Sequence, residues 1–149
     1  MNILYWDIEN INTINVRKNK RNDIFPDVHF DKVQCSYARP FNDVETRIGL
    51  SFDDLELHQL NSRGPDMADF HLLSLVNMDI IEYGRDINIY LASADKLLSY
   101  RFIVLARNCS VNRQNIHTVL TDAEIRQRSK RGYDLFEDGD LAKIPPTLK

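Results

Sequence analysis

The sequence predicts an α/β domain built on a central, mainly parallel sheet. Three observations carry this. Short apolar or alternating runs recur at 3–6, 32–38, 55–60, 87–92 and 115–120. Stretches of helical spacing, each with a capping or stop signal, separate several of them. The chain has 149 residues, enough for one ordinary domain with a single core. Strands that alternate with helices need crossover connections, which give parallel pairing with helices on both faces.

Residues 3–6 (ILYW) form a short apolar strand. Residues 12–31 are polar, with a basic cluster at Arg17, Lys18, Lys20 and Arg21, and suit either a helix or a long loop. Residues 32–38 (KVQCSYA) have β-character. Residues 42–50 suit a helix, with Asn42 as cap and Glu45 three positions on. Residues 55–60 (LELHQL) alternate strictly, as a half-buried strand does, and 61–65 (NSRGP) are a loop. Asp66 is placed to cap a helix that runs to about residue 82 and stops at Gly84. Its apolar positions are Met67, Phe70, Leu73, Val76, Ile80 and Ile81.

Residues 87–92 (INIYLA) are the next strand. Ser93, Ala94 and Asp95 open a helix through Leu97, Leu98, Phe102, Ile103 and Leu105. Residues 115–120 are the last strand. Thr121-Asp122-Ala123-Glu124 fits a capping box, so a further helix starts there. The domain is thus expected over 1–120, with a helical or irregular extension over 121–149 whose tail turns acidic.

Composition removes several function classes. The net charge of −3 gives no global pull toward nucleic acid or anionic membrane, so a polyanion would need a local basic patch or bound cations. Cys35 and Cys109 lack ligand spacing and read as reduced thiols, which suits a cytosolic chain. The longest apolar run is far short of a membrane span. Met1 opens almost directly onto a strand without a signal-peptide pattern, so the expected location is cytoplasmic. No Gly-rich phosphate loop is present. None of His29, His58, His71 and His117 is assigned as a base or zinc ligand, since they share no regular spacing.

The strand ends are more informative. Asp7 follows the first strand, with Glu9 and Asn10 crowding the same turn. Asp66 and Asp69 open the helix after the third strand, and Asp95 follows the fourth. In an open parallel sheet these ends share one rim, and ligands bind in the crevice there. A cluster of carboxylates suits Mg²⁺ or Mn²⁺, able to activate water and neutralise charge on a phosphodiester. Asp is also a favoured helix N-cap. Asp66 is the more ordinary cap, with Asp69 then in the first helical turn, while the cap reading is weaker for Asp7, whose turn Glu9 and Asn10 crowd. Asp79 is discounted as a ligand: about ten residues into its helix, it lies roughly 15 Å from the rim end.

These residues carry a family resemblance. "YWDIEN" resembles the D-x-E/D-N opening of the NYN branch of PIN-like nucleases, "GPDMADFHLL" its middle motif and "IYLASADKLL" its strand-S-x-D motif. The three motifs occur in the family's order over about residues 1–120. The resemblance implies a three-layer α/β/α PIN-like domain that binds divalent metal and cleaves RNA. It implies that Asp7, Asp69 and Asp95 hold the metal, that Asn10 orients Asp7 or touches substrate, and that Ser93 supports the loop. One departure matters: the family's S-x-D-x-D-F pattern here reads S-A-D-K-L-L, so Leu97 and Leu98 stand in place of the second acid and the aromatic. Glu9 and Asp66 are candidate replacement ligands. Lys96 faces either the scissile phosphate or solvent.

Candidate RNA contacts are Arg17 and Lys18 after the first strand, Arg63 in the loop, and Arg126, Arg128, Lys130 and Arg131 near Tyr133. The expected function is a metal-dependent endoribonuclease on single-stranded or structured RNA. The alternative is a catalytically degenerate module that keeps the fold and binds RNA or a protein. Pairing into a homodimer is compatible with either.

Overall fold

The computed structural model describes residues 1–8, 10–11, 24–37, 55–59 and 67–126, with side chains omitted at Tyr37 and over 55–59. The described elements are β1 (Asn2–Trp6), β2 (Lys32–Tyr37), β3 (Leu55–Gln59), α1 (Met67–Tyr83), β4 (Asn88–Ala92), α2 (Lys96–Asn108), a 3₁₀ turn (Arg113–Asn115), β5 (Ile116–Thr118) and α3 (Asp122–Arg126). The five strands form one sheet in the order β3-β2-β1-β4-β5. Every pairing is parallel. The class is α/β. The expected helix at 42–50 lies outside the described residues.

β1 is central because it is apolar on both faces. Ile3 and Tyr5 enter one core with Ile89 and Leu91 of β4, beneath α1 and α2. Leu4 and Trp6 enter a second core with Val33, Cys35, Tyr90 and Ala92. The period-2 alternation of a strand thus feeds two cores from four consecutive residues. Among the described residues, Ile11, Ile24, Phe25, Val28 and Phe30 cover the second face. The described part of that cover, 24–31, is non-helical. Phe25, Phe30 and Tyr90 meet there edge to face at centroid distances of 5.2 to 6.3 Å.

α1 departs from its expected apolar stripe. Its buried residues are Ala68, Leu72, Leu75, Val76, Asp79 and Ile80. Met67, Phe70 and Ile81 are exposed. The helix carries apolar residues on more than one side, so spacing alone fits two stripes, and the sheet takes the one containing Asp79. That carboxylate is 2 % exposed. It accepts hydrogen bonds from Tyr5 Oη at 2.7 Å, Gln34 Nε2 at 3.0 Å and Lys32 Nζ at 3.1 Å. Lys32 also lies over the Tyr83 ring. A buried charge so paired fixes the helix on β1 and β2, which an apolar stripe alone would leave free to slide. Gly84 ends the helix at φ +90°, a left-handed conformation, with its N–H donating to Ile80 O at 2.9 Å.

α3 begins as its capping box requires. Thr121 Oγ1 accepts from Glu124 N at 3.2 Å, and Glu124 Oε1 accepts from Thr121 N at 3.2 Å. Ile125 is buried in the core under α2, and Arg113 pairs with Asp122 at 2.7 Å. The first turn of the expected extension therefore packs on the domain. Among the described residues, no helix is long and apolar enough to cross a membrane.

Candidate functional site

The strand order reverses between β1 and β4. The chain steps outward from β1 to β2 to β3, then returns to the other side of β1 for β4 and β5. The connections after β1 and β4 diverge to opposite faces, which opens a crevice at their carboxyl ends. Asp7 and the segment 93–95 lie at that crevice.

Asp7 is 4 % exposed. Its backbone N–H donates to Ala92 O at 3.1 Å, continuing the β1–β4 ladder one step past the strand. Its carbonyl then accepts from Asn10 N at 3.1 Å and Ile11 N at 2.9 Å, closing a tight turn. Trp6 Nε1 donates to Ile11 O at 2.7 Å and holds the turn from below. The Asp7 side chain accepts from Ser93 Oγ at 2.7 Å.

Ser93 is fully buried and serves both strands. While donating to Asp7 Oδ2, its hydroxyl accepts from Asp95 N at 3.1 Å. A hydroxyl does both at once, so this one atom couples the two acidic segments. Asp95 is the N-cap of α2, its Oδ1 accepting from Leu98 N at 3.0 Å. Across the crevice, Asn10 Oδ1 accepts from Ala94 N at 2.8 Å. The backbone donor fixes which amide atom points inward, leaving the Nδ2 donor of the exposed Asn10 for a ligand.

No known family, no curated protein and no solved structure matches the chain. The site therefore rests on its own geometry. Asp7, Asn10, Ser93 and Asp95, distant in sequence, come together. Ser93, expected to support the loop and to lie among the substrate-binding residues, is enclosed and bonded to both acidic segments. Asp69 lies half-buried in the first turn of α1. However, among the described residues no three His, Cys, Asp or Glu side chains gather into a group able to hold a metal ion. The Asp95 cap spends one carboxylate oxygen on the helix. Lys96 is half-buried as the first residue of α2. Glu9, Arg17, Lys18, Arg63, Asp66, Arg128, Lys130 and Arg131 lie outside the described residues. Arg126 is exposed at the end of α3.

Two features lay beyond sequence reasoning. One is the reciprocal role of Ser93. The other is Asp79, whose charge is absorbed by the core. The Ser93 role had a signal in the S-x-D spacing; the Asp79 partners, from β1 and β2, had none.

Proposed function

We propose that the chain is a metal-dependent endoribonuclease with a PIN-like, three-layer α/β/α architecture, acting in the cytoplasm on single-stranded or structured RNA. The observation that carries this reading is the Ser93 bridge, which ties Asp7 to Asp95 at the point where strand order reverses. The donor chemistry suits Mg²⁺ or Mn²⁺. Such ions take oxygen ligands, commonly one or two carboxylates completed by water and a substrate phosphate. Asp7 and Asp95 would be those carboxylates. Asp95 Oδ1 is engaged by the cap, and its Oδ2 has no hydrogen bond among the described residues. An ion held there would activate water and neutralise charge developing on the phosphodiester.

The chain's own residues have separable tasks in this reading. Ser93 holds the Asp7 carboxylate in one rotamer. Asn10 pins one lip of the crevice to the other and offers Nδ2 to a phosphate oxygen. The N-terminus of α2 adds a favourable dipole for an anion beside Asp95.

A second reading is a module that binds RNA or a protein partner without cutting. It is favoured by the cap role of Asp95 and by the absence, among the described residues, of a third gathered acid.

Incubation with mixed single-stranded RNA, in Mn²⁺ and in EDTA, separates the two. Asp7→Asn and Asp95→Asn keep shape and hydrogen-bond acceptors while removing charge. Metal-dependent cutting that disappears in both variants supports the nuclease. Retention of intact RNA, unchanged by EDTA, overturns it in favour of the binding module.

A further inference from the structure

The outer side of α1 and α2 carries a feature that the crevice does not use. Phe70 and Met78 of α1 are 49 % and 60 % exposed, although the opposite side of the helix is committed to the sheet. Between the two helices runs a groove of about 690 Å³. Phe70, Leu73 and Met78 wall it on one side, and Tyr100, Arg101 and Val104 on the other. Every residue lining it is neutral except Arg101, whose guanidinium lies 5.4 Å from the centre of the Phe70 ring. A concave apolar strip with one cation suits a segment that offers aromatic and aliphatic anchors among acids.

The chain itself carries such a segment. Residues 133–141, YDLFEDGDL, interleave Tyr133, Leu135, Phe136 and Leu141 with Asp134, Glu137, Asp138 and Asp140, and contain no cation. They lie outside the described residues and follow seven positions after Arg126, the end of α3. α3 packs against α2, one wall of the groove. Seven extended residues reach roughly 23–25 Å. That matches the length of α2, about 20 Å for thirteen residues. A connection of that reach can run the length of α2, against which α3 packs.

We propose that residues 133–141 dock into the α1–α2 groove of their own chain, with Phe136 as the apolar anchor and the neighbouring acids beside Arg101. The docking does not depend on the reaction proposed for the crevice. It is tested on the full chain carrying Cys109→Ser and Glu137→Cys, with a nitroxide on the new thiol; Cys35 is buried and does not compete. The expected result is loss of the methyl signals of Leu73, Val104 and Leu105, and their return when the nitroxide is reduced. Methyls of Leu4 and Val33, on the other face of the sheet, stay sharp and report that the fold is intact. Phe136→Ser or Arg101→Glu in the same chain restores the groove signals. Sharp groove signals throughout would overturn the proposal. So would broadening that appears when unlabelled-nitroxide chains, isotope-enriched, are mixed with nitroxide-bearing ones, since the occupant would then be a second copy.

Discussion

Asp7 and Asp79 are both buried carboxylates on the same sheet, and the contrast between them separates function from architecture. Asp79 sits under α1, where Tyr5, Gln34 and Lys32 converge on it. Its charge is balanced by Lys32, 16 % exposed, and its position is enclosed by helix and strands. Asp7 stands at the mouth of the β1/β4 crevice and accepts from a hydroxyl that is itself tied to the next acidic segment. One acid is spent on holding a helix. The other is held in place at the carboxyl end of β1, tied to the next acidic segment. Burial alone does not distinguish them; their hydrogen-bond partners do.

The two carboxylates differ first in what they contribute to stability. Asp79→Ala strands a lysine, a phenol and an amide beneath α1. Loss of one partner from such a buried pair costs about 3–5 kcal/mol. That is a large share of the roughly 5–15 kcal/mol that holds a domain together. Urea unfolding is expected to show this shift for Asp79→Ala, whereas Asp7→Asn keeps its midpoint close to that of the parent. An equal loss at both positions would mean that Asp7 is as structural as Asp79.

On the proposed nuclease reading, the crevice answers in activity instead. Ser93→Ala removes the hydroxyl that orients Asp7 and receives Asp95 N–H, while both acids remain. Loss of such an orienting partner typically lowers metal affinity or activity by about 10–100-fold. The Mn²⁺ dependence of RNA cutting checks it, and rescue by Ser93→Thr distinguishes orientation from packing. Unchanged metal dependence in Ser93→Ala would leave the bridge a structural detail.

Titration sharpens the Asp79 side. Burial, and then the adjacent Asp79 charge, hold the Tyr5 phenol well above its ordinary value of 10.0. The folded chain therefore keeps this proton where the unfolded chain releases it. Stability is unaffected by Tyr5 below pH 10 and falls as pH rises beyond it. The slope is about 1.4 kcal/mol per pH unit. Tyr5→Phe removes the Tyr5 share of that slope at the cost of one hydrogen bond to Asp79, while Tyr90, also raised by burial, keeps its own. Chemical unfolding between pH 9 and 11 measures it.

Asp95 lies between the two extremes, since its side chain caps α2 as well as facing the acidic segment. Asp95→Ala loses the acceptor for Leu98 N, a change worth about 1 kcal/mol. Asn is as good a cap as Asp, so Asp95→Asn keeps most of that stability while removing the charge. A pair of unfolding curves resolves the two variants. If Asp95→Asn unfolds as easily as Asp95→Ala, the carboxylate's charge, and not the cap, is what the helix uses.

Much of this fold is legible in the sequence because its signals are local. Apolar runs place β1, β4 and β5 to within a residue or two, and Gly84 ends α1 where its φ of +90° demands glycine. Thr121 and Glu124 announce α3 through bonds only three residues apart. What the sequence leaves open is tertiary. Met67, Phe70 and Ile81 match helical spacing as well as Leu72, Leu75 and Val76 do, and only the sheet decides between the stripes. The candidate site divides in the same way. The S-x-D spacing marks Ser93 and Asp95, but that Ser93 spans from Asp7 to Asp95 depends on β1 and β4 lying side by side. Asp69 fits the motif and falls in the first turn of α1, where the Asp66 cap signal places it.

The smallest effect is expected at the sheet's far edge. His117 of β5 stacks flat on Tyr90, with ring centres 4.3 Å apart and planes at 11°. Its Nε2 is buried and finds no hydrogen-bond partner among the described residues. Burial first, and then the nearby Arg113 charge, lower its pKa below the ordinary 6.5. The folded chain thus resists a proton that the unfolded chain accepts. The stability tied to neutral His117 is complete above pH 6.5 and is lost as pH falls toward the lowered folded value. The decline is expected between about pH 6.5 and 5, and a His117 variant separates it from the chain's other three histidines. His117→Phe keeps an aromatic face on Tyr90 but has no proton to gain. Unfolding midpoints followed across that window should decline in the parent and stay flatter in His117→Phe. A parallel decline in both would assign the acid sensitivity to another group and leave the β5 edge with packing alone.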